Sequence, residues 1–326
     1  MSSVRCALLA VGLALAGVGA AAQGSWPTGK PIRIIVPFPP GGQTDVAARV
    51  IGQAIGESLR TPVLIENKSG AHGFIGVVDA VNAPADGYTL LMASTGTIAI
   101  NPKLHEKIPY DPSRQLAPVS LVLTVPIVIV SNAEALPVKT LAELMVYLKA
   151  NPGKVNFASA GNGGSSHLVP EYFKFRTGTF MTHIPYKGQA PAVADVVAGQ
   201  IHVMFDTLLS SSPYVKAGKL RMLAVTTKER LAEFPAVPTV AEALNMDDFE
   251  ASSWSALYAP ARTPPEVVKR LSAEVDVALK NPNIAKRLRE LGAVPAGGTP
   301  ERLGQFQREE QEKWAKVIET ARIKAD

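Results

Sequence analysis

Cysteine is all but absent: Cys6 is the only one in 326 residues. It lies inside an apolar N-terminal stretch, so the rest of the chain has no disulfide and no thiol chemistry. A chain of this size without disulfides must be stabilised by its core. Clustered charge is lacking too. The formal net charge is +5 and the pI about 9.2, with Lys and Arg scattered. Nucleic-acid binding needs a basic face, and none is concentrated here. Beyond the N-terminus no apolar run is long enough to span a bilayer, which takes about 20 residues.

The N-terminal run is an addressing signal. MSSVR supplies a short n-region with Arg5, CALLAVGLALAGVG an uncharged apolar core, and Ala20 and Ala22 an A-x-A cleavage site. This predicts a signal peptide over 1–22, removed after about Ala22, and export to the periplasm. A membrane anchor is the competing reading, but the stretch is short for one. A lipoprotein cysteine would follow the apolar core, and Cys6 does not.

The whole chain is 47% hydrophobic, with 26 glycines and 26 prolines spread along it. Length favours about two domains of roughly 150 residues. From Lys30 strand and helix alternate: a β-branched strand (Ile32–Phe38), a helix over 44–59, strand VLIEN, a helix to about 83, and a strand to about Ser94. A long apolar strand, Ser120–Asn132, leads to a helix over 140–150, and the alternation restarts. Strands follow in KVNFASA, MTHIPY, QIHVMFD, LRMLAVTT and SSWSALYAP, with helices in SSHLVPEYFKFRTG and APAVADVVAG. The first of these helices presents Leu168, Tyr172 and Phe175 on one side, and Pro170 must fall in its first turn or kink it. The tail from Pro264 is helical and has no predicted strand. Such alternation implies α/β architecture with mostly parallel sheets. The expected division is 23–125 plus 251–326 for lobe one and 126–250 for lobe two. Two hinge crossings would leave a cleft between the lobes.

Two glycine loops carry the functional signal. In VPFPPGGQTD (Val36–Asp45), prolines fix the exit from a strand and Gly41-Gly42 let a ligand approach the backbone. Gln43, Thr44 and Asp45 then offer N–H groups at a helix start, where the dipole favours an anion. NFASAGNGGSSHL (Asn156–Leu168) repeats the design in the other lobe. Two facing anion cups suit a ligand with negative charge at both ends. Asp45 either caps loop N–H groups or accepts from a ligand donor.

Catalytic and cofactor motifs fail in detail. GNGGSS places Ser166 where a dinucleotide fingerprint needs Gly or Ala, and no G-K-[ST] follows either loop. Ser165, Ser166, His167 and Asp206 are the right types for a triad, but adjacent Ser and His on one helix start point apart, and G-x-S-x-G is missing. The five histidines (His72, His105, His167, His183, His202) show no ligand spacing. No enzyme activity, cofactor or metal is expected.

PFPPGGQTD, ENKSGAHGFIG, PADGYTLLMAS, Asn101-Pro102, SAGNGGSSHL, PYKG and DTLLSS occur in order along the mature chain. In these motifs it resembles the extracytoplasmic solute receptors of tripartite tricarboxylate transporters, the Bug receptors. Gln43 departs from the Gly or Ser common at that position. The resemblance implies a type II periplasmic binding protein, with two lobes closing over a di- or tricarboxylate, an acidic amino acid or an aromatic acid. It implies carboxylate binding mainly by backbone N–H groups and water, and delivery to membrane permease subunits. By match to the family loops, the ligand residues are Phe38, Pro40, Gly41, Gly42, Thr44 and Asp45, joined by Ser94, Thr95 and Gly96. In lobe two they are Ser159, Gly161, Gly163, Gly164 and His167, with Tyr186, Lys187 and Asp206 at the far end. Lys187 either pairs a distal carboxylate or is solvated. Asp206 either accepts from an amino group or braces the hinge. The alternative function is a sensing receptor that signals to a membrane kinase. No interface signature stands out, so a monomer is expected.

Overall fold

The computed structural model describes residues 26–324. The predicted signal peptide lies outside the described residues. Among the described residues ten strands form one mixed sheet: β1 (Ile32–Val36), β2 (Val63–Asn67), β3 (Thr89–Ser94), β4 (Leu116–Asn132), β5 (Asn156–Ser159), β6 (Thr182–Pro185), β7 (Val203–Thr207), β8 (Leu220–Val225), β9 (Ser252–Pro260) and β10 (Val294–Pro295). The order is β2-β1-β3-β9-β4-β7-β5-β6, with β8 and β10 also paired to β4.

The α/β expectation holds. β2-β1-β3 and β6-β5-β7 are parallel, as strand–helix alternation requires. Between them β9 and β4 run antiparallel to their neighbours. β4 links the two ends. Leu116–Pro126 pairs with β9, and Ile127–Asn132 pairs with β7 and β8. Its second half is buried throughout, which explains its continuous apolar run.

Four details differ from the sequence reading. The tail has a strand after all: Val294–Pro295 pairs with Leu123 and Thr124 of β4, a segment too short to show periodicity. A helix at Leu208–Lys216 follows β7 directly, where Ser-rich sequence hides it. Helix Ser165–Thr177 continues through Pro170 at its sixth position, losing one backbone bond. Its buried side is Leu168, Val169 and Phe173, and Phe175 is 47% exposed, because the face turns by about 100° per residue.

The tail helices pack on β4. Helix Pro300–Ala321 buries Leu303, Trp314, Val317 and Ile318 in one core, and helix Pro265–Lys280 buries Val268, Leu271 and Val275 in another. The loops after β1, β2, β3, β5, β6 and β7 all open to one cleft between the two parallel ends.

Candidate functional site

The cleft has a volume of about 640 Å³. On one wall β1 ends at Val36 and the proline loop turns into helix Gln43–Leu59. Gly41 takes φ +88°, a conformation that other residues rarely adopt. The first backbone bond of the helix runs from Val46 N–H to Gly42 O (3.0 Å), so the N–H groups of Gln43, Thr44 and Asp45 precede it. Phe38, Pro40, Gly42 and Thr44 line the cleft, with Ser94 and Gly96 beside them. On the facing wall stand Gly161, Gly163 and Gly164, then Tyr186 and Lys187.

The other predicted residues lie behind these walls. Asp45 turns back to accept from Gly41 N–H (3.0 Å), Asn67 Nδ2 (2.9 Å) and Arg49 Nε (2.9 Å). Burial pushes its carboxyl up, but these donors outweigh it and leave the pKa below the usual carboxylate value. Gly41 sits outside the lining and gives its N–H to Asp45. Thr95 Oγ1 accepts from Trp254 N–H (2.9 Å). Ser159 Oγ contacts His183 Nε2 (2.6 Å). His167 Nδ1 accepts from Gly163 N–H (3.2 Å), and its ring stacks on His183 at 4.2 Å. Asp206 is fully buried beneath the floor. Burial raises its pKa, against donation from Ser211, Gln189, Ser210 and the Thr207 N–H. These six lie outside the lining, and Asp45 and His167 accept from N–H groups of their own glycine turns.

Some lining residues are not among the ligand residues expected from sequence: Gln43, expected only to offer its N–H, Asn101, known only as part of a motif, the Ser69–Gly73 loop, Gln189, Thr207 and Ser253. The available signal was a glycine immediately before a helix, as in Gly188-Gln189 and Gly73-Phe74. Five helices place their N-caps in the lining: Gly42, Gly73, Gly164, Gly188 and Thr207. None of the five carries a side-chain cap. Helices elsewhere do, including those capped by Thr140, Thr239, Asn281 and Thr299. The cleft thus gathers uncapped helix starts, each favouring an anion. Among its described lining residues there is no Asp or Glu, and Lys187 is the only lysine or arginine. The Tyr186 hydroxyl donates to Asp195 (2.6 Å), and burial pushes its pKa up to about 12.

The walls meet at glycines. A Cβ on Gly96 would lie 2.9 Å from Gly163 O, and one on Gly188 3.3 Å from Pro39 Cγ. Gly42 likewise faces Gln189 Oε1, 3.6 Å from a built Cβ.

Three comparisons carry the identity. Residues 47–323 match the model of the tripartite tricarboxylate transporter family receptor. BugT of Bordetella pertussis is 38% identical over 313 residues, covering 96% of this chain and 95% of BugT. Among solved structures, one described as a periplasmic transporter superposes with TM-score 0.88 at 41% identity, over 92% of this chain and 100% of the other. Rpa4515 of R. palustris with adipate gives TM-score 0.87 at 36%, over 91% and 98%. MatC of Rhodopseudomonas palustris with bound malate gives 0.83 at 31%, over 89% and 99%. Among the described residues no helix is long and apolar enough to cross a membrane. With its fold, its glycine loops and its match along most of its length, the chain belongs to the tripartite tricarboxylate transporter receptor family, the solute-binding Bug type.

Proposed function

We propose that the protein is a periplasmic receptor that captures a small carboxylate and delivers it to the permease subunits of a tripartite tricarboxylate transporter. The observation that carries this reading is the set of five uncapped helix starts around a cleft whose described lining has one lysine and no carboxylate. Adipate on Rpa4515 and malate on MatC support a ligand with two carboxylates. The protein is exported with its signal peptide removed near Ala22, and it binds and releases the ligand unchanged.

On this reading residues 23–125 with 251–326 form one lobe and 126–250 the other. The pairing of β4 passes from β9 to β7 and β8 between Pro126 and Ile127, which suits the first crossing. Near the return, Ala251 N–H donates to Thr226 O (2.9 Å). One carboxylate occupies the cup at Gly42–Thr44. The second lobe closes with Gly163–Ser166 over the other end, and closure forms the surface that the permease reads. A hydrogen bond to a charged group contributes about 1.5–3 kcal/mol net. Four or five therefore suffice for micromolar affinity, about −8 kcal/mol, after association costs.

The test is a thermal-shift panel of mono-, di- and tricarboxylates, acidic amino acids, aromatic acids and neutral amides. A ligand at 100 times its Kd adds about 2.7 kcal/mol of stability. Response to one class of carboxylates is expected. Silence from ligand-free folded protein would sink the reading. Delivery is tested separately: cells lacking the receptor should lose uptake of that carboxylate and regain it with the wild-type chain.

A further inference from the structure

Gln189 opens helix Gln189–Val197 and lines the cleft. Its amide nitrogen donates twice, to Asp206 Oδ1 and to Thr207 Oγ1 (2.6 Å). Asp206 is surrounded by groups that donate: the Ser211 hydroxyl at 2.6 Å, the Gln189 amide, the Ser210 side chain and the Thr207 N–H. That donor set fits a carboxylate, which only accepts. It holds the Gln189 nitrogen toward itself and turns the oxygen away. The oxygen stands at the opposite wall, beside Gly42.

Two other lining amides also commit their nitrogens to the protein. Gln43 is buried and lines the cleft, and its nitrogen donates to Ser255 Oγ (3.1 Å). Asn101 is 1% exposed and lines the cleft, and its nitrogen donates to His72 O (3.2 Å). Asn101 Oδ1 has no hydrogen-bond partner among the described residues. A cleft built of N–H donors for carboxylates therefore also holds an amide oxygen, that of Gln189, which a plain carboxylate cannot use. Such an oxygen needs a donor on the ligand.

Resting on the carboxylate function above, we infer that the ligand is a hydroxy acid whose hydroxyl donates to Gln189 Oε1. Asp206 acts as a positioning residue that fixes which end of the Gln189 amide faces the cleft. An ammonium would also donate, but its charge would enter a lining with Lys187 and, among the described residues, no Asp or Glu. A hydroxyl is neutral and avoids that cost.

The experiment is calorimetric titration with matched acids: malate against succinate, 2-hydroxyglutarate against glutarate, citrate against propane-1,2,3-tricarboxylate, and aspartate as the amino member. At least one hydroxy acid should bind about 10-fold tighter than its parent. Gln189→Met should bring that ratio close to one, by weakening the hydroxy acid about 10-fold more than its parent. Asp206→Asn, which lets the amide turn over, should lower the same ratio with Gln189 intact. A purely structural Asp206 would instead shift the melting temperature or weaken both acids alike. If Gln189→Met does not fold, Thr207→Val removes one of the two amide anchors and serves in its place. Equal affinity within every pair, or a ratio that survives Gln189→Met, overturns the inference and leaves the carboxylate function standing. Preference for aspartate overturns it in favour of an amino group. Binding of no acid in the panel overturns both.

Discussion

A side chain on Gly163 would collide with Asn101 Oδ1 across the cleft, from a backbone held at φ +73°. The two residues belong to facing walls of the cleft. Gly163→Ala should weaken ligand binding about 10-fold or more, by strain and overlap in the closed arrangement. Removing the obstruction with Asn101→Ala in the same chain should restore part of the loss, with the φ cost remaining. Titration of the two variants and the pair measures this. Unchanged affinity in Gly163→Ala would take the second loop out of the site.

Asp45 holds the first loop from behind, through Gly41, Asn67 and Arg49. Its pKa in the folded chain is depressed, so its contribution is present above the ordinary value of about 3.9 and lost as pH falls through the folded value. Asp45→Ala should cost about 1–3 kcal/mol in urea unfolding at pH 7. The difference between Asp45→Asn and wild type should shrink between pH 5 and 3, on the order of the carboxylate titration range. A constant difference across that range would remove the carboxylate from the explanation.

Lys187 is exposed at the cleft and makes no ion pair with any described residue. Paired with a ligand carboxylate at this exposure, it contributes at most about 1 kcal/mol. Lys187→Gln should therefore weaken a dicarboxylate no more than about fivefold, with the effect fading at 1 M salt. Identical Kd values at low salt would mean the lysine is simply solvated.

Glu310 joins the tail to the sheet. Its Oε2 accepts from the indole N–H of Trp254 (2.9 Å) and of Trp314 (3.2 Å), both rings being buried. Glu310→Ala leaves two buried donors unpaired and should cost about 2–5 kcal/mol. Glu310→Gln keeps one acceptor oxygen and should cost less. Urea unfolding followed by tryptophan emission reads both. A loss under about 1 kcal/mol in the alanine variant would show that water replaces the carboxylate.

The sequence by itself determined every described strand but β10, most of the helices and the two glycine loops. Each of these is local. A β-branched run, a helical repeat or a Pro-Gly turn acts through backbone conformation within a few residues. β9 at Ser252–Pro260 and helix Leu141–Ala150 were legible for that reason. Only tertiary structure decided which residues near a cup line the cleft. Asp45, His167 and Asp206 look like site residues in one dimension, yet each is held by backbone or side chains behind the wall. Gln189 looks like an ordinary helix start, yet it lines the cleft because Asp206 and Thr207, far along the chain, fix its amide. The two-residue strand Val294–Pro295 was invisible for the same physical reason. Its partner on β4 is distant in sequence, and long-range hydrogen bonds leave no local pattern to read.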